Sequence, residues 1–255
     1  LRAGAEDAAR PFCDGPVPWA EWGRYLKDGL RPGASLAHAC GAFYLQEASA
    51  MASAAALDAR PGERILDLCA APGGKTSQIA AAMGGRGLLV SNEPVPARAR
   101  VLAENLDRLG VANAVATNAY PDQLAARWPE QFDAVLVDAP CSGLGIIRKK
   151  PDIRYKKPDD LFALPVIQRA ILDNAARYVK PGGTLVYSTC TILPEENQEV
   201  TDGFLAEHPD FVRTPFALPD PVGETEGQVT LWPHRHHTDG FYICRMERRL
   251  LRSDP

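Results

Sequence analysis

Residues 63–83 read ERILDLCAAPGGKTSQIAAAM, which is a short apolar run, a turn that contains Gly and Pro, and a run of good helix formers. This order predicts a β-strand, a loop and an α-helix. Five more apolar runs follow along the chain: GLLVSNE at 87–93, NAVATN at 113–118, FDAVLVDAPCSG at 132–143, PGGTLVYSTC at 181–190 and GFYICRM at 240–246. They are apolar nearly throughout, as expected of strands whose two faces are both covered.

Helix-forming stretches surround and separate these runs. They are Phe43–Leu57, Pro96–Leu109, Pro165–Tyr178 and Glu195–Glu207. In the second stretch, apolar residues recur at helical spacing and Gly110 ends the pattern. Strands that alternate with helices predict βαβ units. We therefore expect an α/β fold with a mostly parallel sheet and helices on both faces.

The composition narrows the class of protein. The chain has 255 residues, of which 45% are hydrophobic, and this suffices for one sizeable core. No apolar run approaches the roughly 20 residues that a membrane helix needs, and the first residues lack the apolar centre of a signal peptide. We therefore expect a cytoplasmic protein with no membrane partner. The net charge of −4 disfavours a chain coated in nucleic acid but allows a local basic patch.

The six cysteines are widely spaced and form no CxxC pair. In a cytosolic protein such thiols stay reduced, so we expect neither a disulfide framework nor a zinc site. Packing is the expected role of Cys13, Cys40 and Cys244. For the histidine-rich stretch 234–237 we expect a phosphate contact, a surface role or none, rather than metal ligation.

Polar side chains follow five of the predicted strands. They are Cys69–Lys75, Glu93, Asn118, Asp138–Cys141 and Thr189–Cys190. In open parallel sheets, ligands bind at the carboxyl ends of the strands. We therefore expect all five clusters to line one crevice.

The first cluster has the features of a loop that binds a small ligand. Gly73 and Gly74 let a ligand approach the backbone closely, and the start of the following helix favours a negative group such as a carboxylate. The pattern is neither G-x-G-x-x-G nor G-x-x-x-x-G-K-[ST], so it signals neither a dinucleotide nor ATP phosphates. Glu93 is placed to accept hydrogen bonds from a ribose. Together these features favour an adenosine-type ligand over the alternative of a plain tight turn beside a solvated carboxylate.

Two cysteines at the ends of neighbouring strands, Cys141 and Cys190, are candidates for chemistry because functional groups concentrate in such loops. The thiolate is the reactive form, and a nearby cation such as Lys75 favours it. Asp138, beside Cys141, could hydrogen-bond a protonated or amino-bearing ring. Attack of a thiolate on carbon 6 of a pyrimidine makes carbon 5 electron-rich, so that it can take a methyl group from a sulfonium donor.

Three motifs, LDLCAAPGGKT at 66–76, VDAPCSG at 137–143 and YSTCTILPEEN at 187–197, together resemble those of the Sun-type (nucleolar-protein-type) RNA cytosine-5 methyltransferases, which include bacterial 16S rRNA enzymes. The similarity runs from about Tyr44 to Met246. It implies a class I, Rossmann-like methyltransferase that depends on S-adenosylmethionine. It also implies methylation of carbon 5 of cytosine in RNA, with rRNA as the expected substrate.

The resemblance assigns roles to individual residues. Cys190 matches the nucleophile and Cys141 the cysteine that assists product release; with Asp138 and Lys75 they form the expected catalytic set. The family's donor site maps onto Cys69, Ala70, Ala71, Pro72, Gly73, Gly74, Lys75, Glu93, Asn118 and Asp138. The chain departs from the family at Asn118, where Asp is common and a different contact to adenine is implied. It also departs at Thr191, where Ser is common.

The chain also offers a surface for RNA. Six cations fall within ten residues, and Tyr155, which could stack on a base, lies among them. The six are Arg148, Lys149, Lys150, Arg154, Lys156 and Lys157. A solvated loop is the alternative. We expect residues 1–60 to form an N-terminal helical and loop segment that partly contacts RNA, and residues 61–255 to form the catalytic domain.

Other functions stay open at the level of sequence. A tRNA cytosine-5 methyltransferase would use the same chemistry on another RNA. A DNA cytosine-5 methyltransferase would use Cys141 as the nucleophile, and the presence of Cys190 argues against it. A non-catalytic RNA-binding module would not need both cysteines together with Asp138 and Lys75, and a small-molecule methyltransferase would not need the basic segment. The sequence leaves the oligomeric state open.

Overall fold

The computed structural model describes residues 4–156 and 162–250. Its strands are, in chain order, β1 (Cys13–Pro16), β2 (Arg24–Leu26), β3 (Arg64–Asp67), β4 (Leu88–Asn92), β5 (Ala114–Thr117), β6 (Phe132–Asp138), β7 (Val179–Thr189), β8 (Phe211–Arg213), β9 (Phe216–Leu218), β10 (Gly223–Thr225), β11 (Gln228–Leu231) and β12 (Phe241–Arg248). Its α-helices are α1 (Glu6–Ala9), α2 (Leu36–Ala39), α3 (Ala48–Leu57), α4 (Gly74–Met83), α5 (Pro96–Leu109), α6 (Pro121–Ala125), α7 (Leu164–Ala176), α8 (Gln198–Glu207) and α9 (Pro233–His236).

Within the described residues, the central sheet has eight strands in the order β11-β12-β7-β6-β3-β4-β5, with β8 beside β12. The strands from β3 to β7 pair in parallel. β12 returns antiparallel to β7 and pairs with β8 and β11 in the same sense. The predicted α/β fold with a mostly parallel sheet is therefore confirmed, and the last predicted strand is the antiparallel β12.

Helices cover both faces of the sheet. Successive side chains of a strand point to opposite faces. In β6, Val135 and Val137 join one core, while Ala134 and Leu136 join the other. The first core also contains apolar residues of α7 and α8, and the second those of α3 and α4. Because both faces of β6 are buried, its sequence is apolar rather than alternating.

Helix α3 lies directly on the sheet because its side chains are small, and most of them are buried. The helix begins at Ala48 rather than at the predicted Phe43. Glu47 has extended backbone, and residues 44–46 instead form one wall of a pocket. The helix ends at Leu57, because Asp58 has a left-handed backbone, with φ 56°, and cannot continue the helical ladder.

The N-terminal segment, which the sequence predicts to be helix and loop, also contains two β-strands. β1 and β2 form a two-stranded antiparallel sheet. Their sequences, CDGP and RYL, are too short to show the period-2 alternation that predicts strands. Trp19, between the two strands, is buried and donates from Nε1 to the Ala48 carbonyl at 2.7 Å. This bond joins the N-terminal segment to α3.

Two predicted helices are confirmed. The stretch Pro96–Leu109 is α5 with the same bounds, and Pro165–Tyr178 corresponds to α7, which begins one residue earlier. Gly110, in a left-handed conformation with φ 66°, ends α5. Among the described residues, no helix has both the length and the apolar character that crossing a bilayer requires.

The predicted helix Glu195–Glu207 is interrupted near its start. A 3-10 turn at Pro194–Glu196 precedes α8, and Asn197 separates the two with non-helical backbone. The side chain of Asn197 accepts a hydrogen bond from the Thr189 hydroxyl at 2.5 Å and donates to the Thr191 carbonyl at 3.2 Å. These bonds hold the buried Asn197 to the loop after β7, so it does not extend the helix.

Candidate active site

A pocket lies at the carboxyl ends of the parallel strands, and two of the five predicted clusters, Cys69–Lys75 and Asp138–Cys141, contribute to its lining. It encloses about 530 Å³ together with the adjoining solvent. It is lined by residues 69–72 and 74–75 of the first motif, by Asp67 and Asp138 at strand ends, and by residues 44–46 and Ala50. The wall formed by the N-terminal segment was not predicted, because the distance in sequence between it and the motifs gives no sign of their contact.

The loop after β3 brings backbone close to this pocket. Gly73 precedes α4 with a left-handed backbone, φ 109°, which a residue with a side chain rarely adopts. A Cβ atom on Gly74 would lie 2.9 Å from Cε1 of Tyr44, so the close approach of the two segments favours glycine there. Arg98 donates to the Ala71 carbonyl at 2.9 Å and helps to fix the loop.

Glu93 follows β4, and its side chain is 1% exposed. One carboxylate oxygen accepts a hydrogen bond from the Val95 backbone N–H at 3.0 Å, and the other lies 3.2 Å from Arg98. Asn118 donates from Nδ2 to the carbonyls of Glu93 and Pro94 at 2.8 and 3.0 Å. The structure thus brings the two predicted residues side by side. A carboxylate has about four lone-pair sites, so Glu93 keeps acceptor capacity beyond these contacts.

Asp67, at the end of β3, is a buried carboxyl in the pocket lining. Thr76 donates to its Oδ2 at 2.7 Å, whereas Oδ1 has no hydrogen-bond partner among the described residues. Burial, with a smaller contribution from the carboxylates of Asp138 and Glu93, raises the pKa of Asp67 to about 7. Sequence reasoning missed this group, and its place inside the first motif was the only available signal.

Lys75 and Asp138 form an ion pair, with Nζ 2.7 Å from Oδ2. Ser188, the partner of Asp138 in the β6–β7 ladder, donates to Oδ1 at 2.9 Å. The Lys75 Nζ also lies 5.2 Å from the ring centre of Phe241, within the range of a cation–π contact. The Asp138 carboxylate is therefore held at both oxygens while it lines the pocket.

The sulfur atoms of Cys141 and Cys190 lie 3.2 Å apart, and both cysteines are free and half-buried. The hydrogen bond with the Cys141 thiol, helped by Lys75, lowers the pKa of Cys190 against the opposing effects of burial and Asp138. The same bond, together with burial, raises the pKa of Cys141. Cys190 is thus the thiol that ionises first, and Cys141 keeps its proton. This arrangement can present a nucleophilic thiolate with a proton-carrying group beside it.

A buried polar network fixes the two cysteine loops against each other. The hydroxyl oxygens of Ser142 and Thr191, each one residue beyond a cysteine, lie 2.8 Å apart, so Thr191 keeps the hydroxyl that the commoner Ser would supply. The Glu196 carboxylate accepts hydrogen bonds from the Ser142 backbone N–H at 2.9 Å and from Gln168 at 2.8 Å. Sequence reasoning missed Ser142, Gln168 and Glu196, although Ser142 and Glu196 lie inside the second and third motifs.

The predicted basic segment divides into two groups of side chains. Arg148 and Lys149 lie 2.9 and 3.0 Å from the buried carboxylate of Asp239. Lys156 donates to the Ser142 carbonyl at 2.7 Å. These three cations therefore contact protein groups.

In the second group of the basic segment, Arg154 Nε donates to the Pro151 carbonyl at 3.0 Å. Lys150, Arg154 and Tyr155 are exposed, Tyr155 over 77% of its surface. They lie on or beside a 3-10 turn that the buried Ile153 anchors. Lys157 lies outside the described residues. Arg148, Lys149 and Lys156 are exposed as well, so the exposed side chains of both groups remain available to RNA phosphates and bases.

Cys244 is buried in the core, as expected of a packing residue. The same interpretation is wrong for Cys40, which is exposed because it follows α2 at the surface. In the histidine-rich stretch, His236 Nδ1 accepts a hydrogen bond from the Trp232 backbone N–H at 2.8 Å. The part of the chain that the structure describes contains no group of three His, Cys, Asp or Glu side chains arranged to hold a metal ion.

Known proteins resemble this chain in both sequence and structure. A family model described as 16S rRNA methyltransferase RsmB/F matches residues 54–247. The ribosomal RNA small subunit methyltransferase F of Erwinia tasmaniensis is 39% identical over 245 residues, which cover 91% of this chain and 51% of that protein. The chain thus spans about half the length of the curated relatives it matches.

Two solved structures from Pyrococcus horikoshii share the fold. A methyltransferase homolog protein superposes with a TM-score of 0.80 at 30% identity, over 96% of this chain and 83% of that one. NSun6, solved with SFG, superposes with a TM-score of 0.76 at 28% identity, over 89% of this chain and 61% of that one.

Proposed function

Because the chain belongs to the 16S rRNA methyltransferase RsmB/F family, we propose that it transfers a methyl group from S-adenosylmethionine to carbon 5 of a cytosine in ribosomal RNA. The observation that carries the proposal is the contact between Cys141 and Cys190, in which the pKa of Cys190 is lowered and that of Cys141 raised. Curated relatives that are named small-subunit rRNA methyltransferases support the substrate class. SFG, an analogue of S-adenosylmethionine, in the related NSun6 structure supports the donor.

The residues around the pocket fit S-adenosylmethionine. The start of α4 and the backbone of residues 69–74 suit the carboxylate of the ligand. Asp67 has an unpartnered buried oxygen that can accept a hydrogen bond from the ammonium group. Glu93 would accept hydrogen bonds from the ribose, and Asn118 would contact the adenine. When bound, the donor supplies a methyl group on a sulfonium, which suits transfer to a carbon nucleophile.

Cys190 begins the reaction on the cytosine. Its thiolate forms a bond to carbon 6, and the electron pair of the C5–C6 double bond makes carbon 5 nucleophilic. Asp138, held by Lys75 and Ser188, would hydrogen-bond the ring nitrogen or the amino group and stabilise the charge that develops there. The ring nitrogen takes up a proton from solvent at this step and Cys141 gives its own proton to solvent, so the bond from Cys190 to carbon 6 does not depend on Cys141.

Cys141 completes the cycle after carbon 5 has accepted the methyl group. Its thiolate removes the proton from carbon 5, and the electrons of that C–H bond restore the C5–C6 double bond. The bond between carbon 6 and sulfur breaks, so Cys190 leaves as the thiolate. The ring nitrogen returns its proton to solvent, and the two sulfurs are again a thiol beside a thiolate.

We also propose that residues 1–60 support the catalytic domain of residues 61–255 and contribute to RNA binding. Two contacts support this division of labour. Tyr44 lines the donor pocket, and Glu47 forms an ion pair with Lys149 of the basic segment. The N-terminal segment therefore touches both the donor side and the basic side of the site.

Incubation with radiolabelled S-adenosylmethionine and separate transcripts of 16S rRNA and tRNA, with a cytosine-containing DNA beside them, tests the proposed function. We expect label in the rRNA, mapped to carbon 5 of a cytosine. Label only in tRNA or only in DNA would contradict the substrate that we propose. Donor binding without label in any nucleic acid would favour the non-catalytic RNA-binding module.

A further inference from the structure

Asp239 lies outside the three sequence motifs. Its carboxylate is buried and forms ion pairs with two cations, Arg148 and Lys149. Its side chain is 1% exposed. Arg148 donates to Oδ1 from Nη2 at 2.9 Å and from Nε at 3.3 Å. Lys149 Nζ lies 3.0 Å from Oδ2, as an ion pair rather than an aligned hydrogen bond. A buried charge is costly unless it is paired, so the three side chains hold one another in place.

The residue after Asp239 reaches the backbone of the nucleophile's loop. The Gly240 N–H donates to the Gly145 carbonyl at 2.9 Å, and the Gly145 N–H donates to the Cys190 carbonyl at 3.0 Å. The segments are so close that a Cβ atom on Gly145 would lie 2.0 Å from the Gly240 oxygen. Gly145 belongs to the 3-10 turn Leu144–Ile146, and the two cations follow that turn almost directly. The turn is therefore fixed both at Gly145 and at the cations.

We propose that Asp239 is a positioning residue for methyl transfer: it fixes the segment 144–149, and through that segment the backbone of Cys190. The inference rests on the proposed function, because it concerns the reactivity of Cys190. The ammonium group of Lys75 lies over the ring of Phe241, which is two residues beyond Asp239. The short stretch 239–241 thus contacts two groups that act on Cys190. One is the turn that hydrogen-bonds the Cys190 carbonyl, and the other is Lys75, the cation that favours the Cys190 thiolate.

An alternative role for Asp239 is to present Arg148 and Lys149 to RNA phosphates. The two roles predict opposite results for Asp239→Asn. If Asp239 positions Cys190, the change slows methyl transfer but does not weaken RNA binding, because it frees two cations from a buried carboxylate. If Asp239 presents the cations, the change weakens RNA binding and leaves the rate of the bound complex intact.

The test measures kcat, KM for an rRNA transcript, and the rate at which iodoacetamide alkylates Cys190 without RNA over a range of pH. For Asp239→Asn we expect kcat to fall by about 10- to 100-fold, since a misplacement of about 1 Å costs about 100-fold. KM for RNA should stay the same or fall. The midpoint of alkylation against pH should move upward, because the thiolate loses its alignment with Cys141 and Lys75. Asp152→Asn is the matched control, because it removes the same charge from an exposed acid of the same region.

A second variant keeps the proposal testable if Asp239→Asn does not fold, as judged by circular dichroism and by binding of S-adenosylmethionine. Arg148→Gln removes one partner of Asp239, and it should lower kcat and shift the alkylation midpoint in the same directions. Values of kcat and alkylation equal to those of Asp152→Asn would overturn the proposal, and so would a raised KM with unchanged kcat. A wild-type protein that methylates no RNA would refute the proposed function instead, and the alkylation of Cys190 would still report on Asp239.

Discussion

The two cysteines of the site are alike in chemistry, and their surroundings make them different. The hydrogen bond between the two sulfurs and the charge of Lys75 lower the pKa of Cys190, whereas the same bond and burial raise the pKa of Cys141. The sequence predicts that both follow neighbouring strands. From the residues alone it could not predict which one ionises first, because that depends on a contact between residues 49 positions apart.

A substitution of Glu93 tests the proposed binding site for S-adenosylmethionine at the scale of one residue. Glu93→Ala should weaken binding of S-adenosylmethionine by about 1–3 kcal/mol, because ribose hydroxyls would lose a buried acceptor. Calorimetric titration measures the affinity. Glu104→Ala, which removes an exposed carboxylate from α5, is the control and should bind like the wild type. Equal affinities in the two variants would exclude Glu93 from the donor site.

The raised pKa of Asp67 predicts how the free energy of unfolding depends on pH. Its pKa is raised to about 7 in the folded protein, so the native state holds this proton more tightly than the unfolded chain does. The contribution of Asp67 to stability is therefore present below about pH 4 and is lost as the pH rises to about 7. Asp67→Asn cannot titrate there.

Urea unfolding of the wild type and of Asp67→Asn, compared at several pH values from 5 to 8, measures this loss. The free energy of unfolding of the wild type should fall relative to that of the variant by up to about 1.4 kcal/mol per pH unit below pH 7. The asparagine keeps the shape of the side chain and an oxygen that can accept from Thr76. A difference that stays constant over the range would contradict the raised pKa.

At the level of elements, the exposed basic segment contains two cations, Lys150 and Arg154, that have no carboxylate partner among the described residues, whereas Arg148 and Lys149 are paired. Lys150→Ala combined with Arg154→Ala should reduce the slope of log affinity for RNA against log salt concentration by about 0.7–0.9 for each phosphate that the protein no longer neutralises. Filter binding at several salt concentrations gives the slope. Lys180→Ala, at a cation paired with Asp133 in the first part of β7, is the control. An unchanged slope in the double variant would mean that Lys150 and Arg154 contact no RNA phosphate.

The turn at Leu144–Ile146 packs closely on the loop that carries Cys190. A Cβ atom on Gly145 would lie 2.0 Å from the Gly240 oxygen and 2.8 Å from the Cys190 oxygen. Both are backbone atoms, so Gly145→Ala should destabilise the fold by about 1–3 kcal/mol and slow methyl transfer. Thermal unfolding and activity assays measure the two effects. Gly15→Ala, where a Cβ atom would meet nothing within 4 Å, should leave both unchanged.

The elements also show what the sequence could predict. α5 and the apolar runs of the parallel strands stand out because each has a strong periodic or continuous apolar pattern. The short strands β1, β2 and β8–β11 have three or four residues each and carry no such pattern. The break at Asn197 depends on side-chain bonds to the loop after β7, which spacing along the chain does not reveal.

At the scale of the whole molecule, the parallel sheet explains why the motifs were informative. Each motif follows a strand, and parallel strands end at one edge, so residues far apart in sequence were expected to meet there. The residues that contact the site from other parts of the chain were harder to predict. Tyr44 and Asp239 reach it from segments outside the motifs, and only the folded chain brings them to it.

The central claim is that Cys190 bonds to the cytosine and that Cys141 lets the product go. The most direct measurement is denaturing gel electrophoresis of each variant after incubation with rRNA and S-adenosylmethionine, with the exposed Cys40→Ala as a control that should behave like the wild type. A covalent complex of protein and RNA should accumulate with Cys141→Ala and be absent with Cys190→Ala. A complex that forms only with Cys190→Ala would make Cys141 the nucleophile and contradict the account.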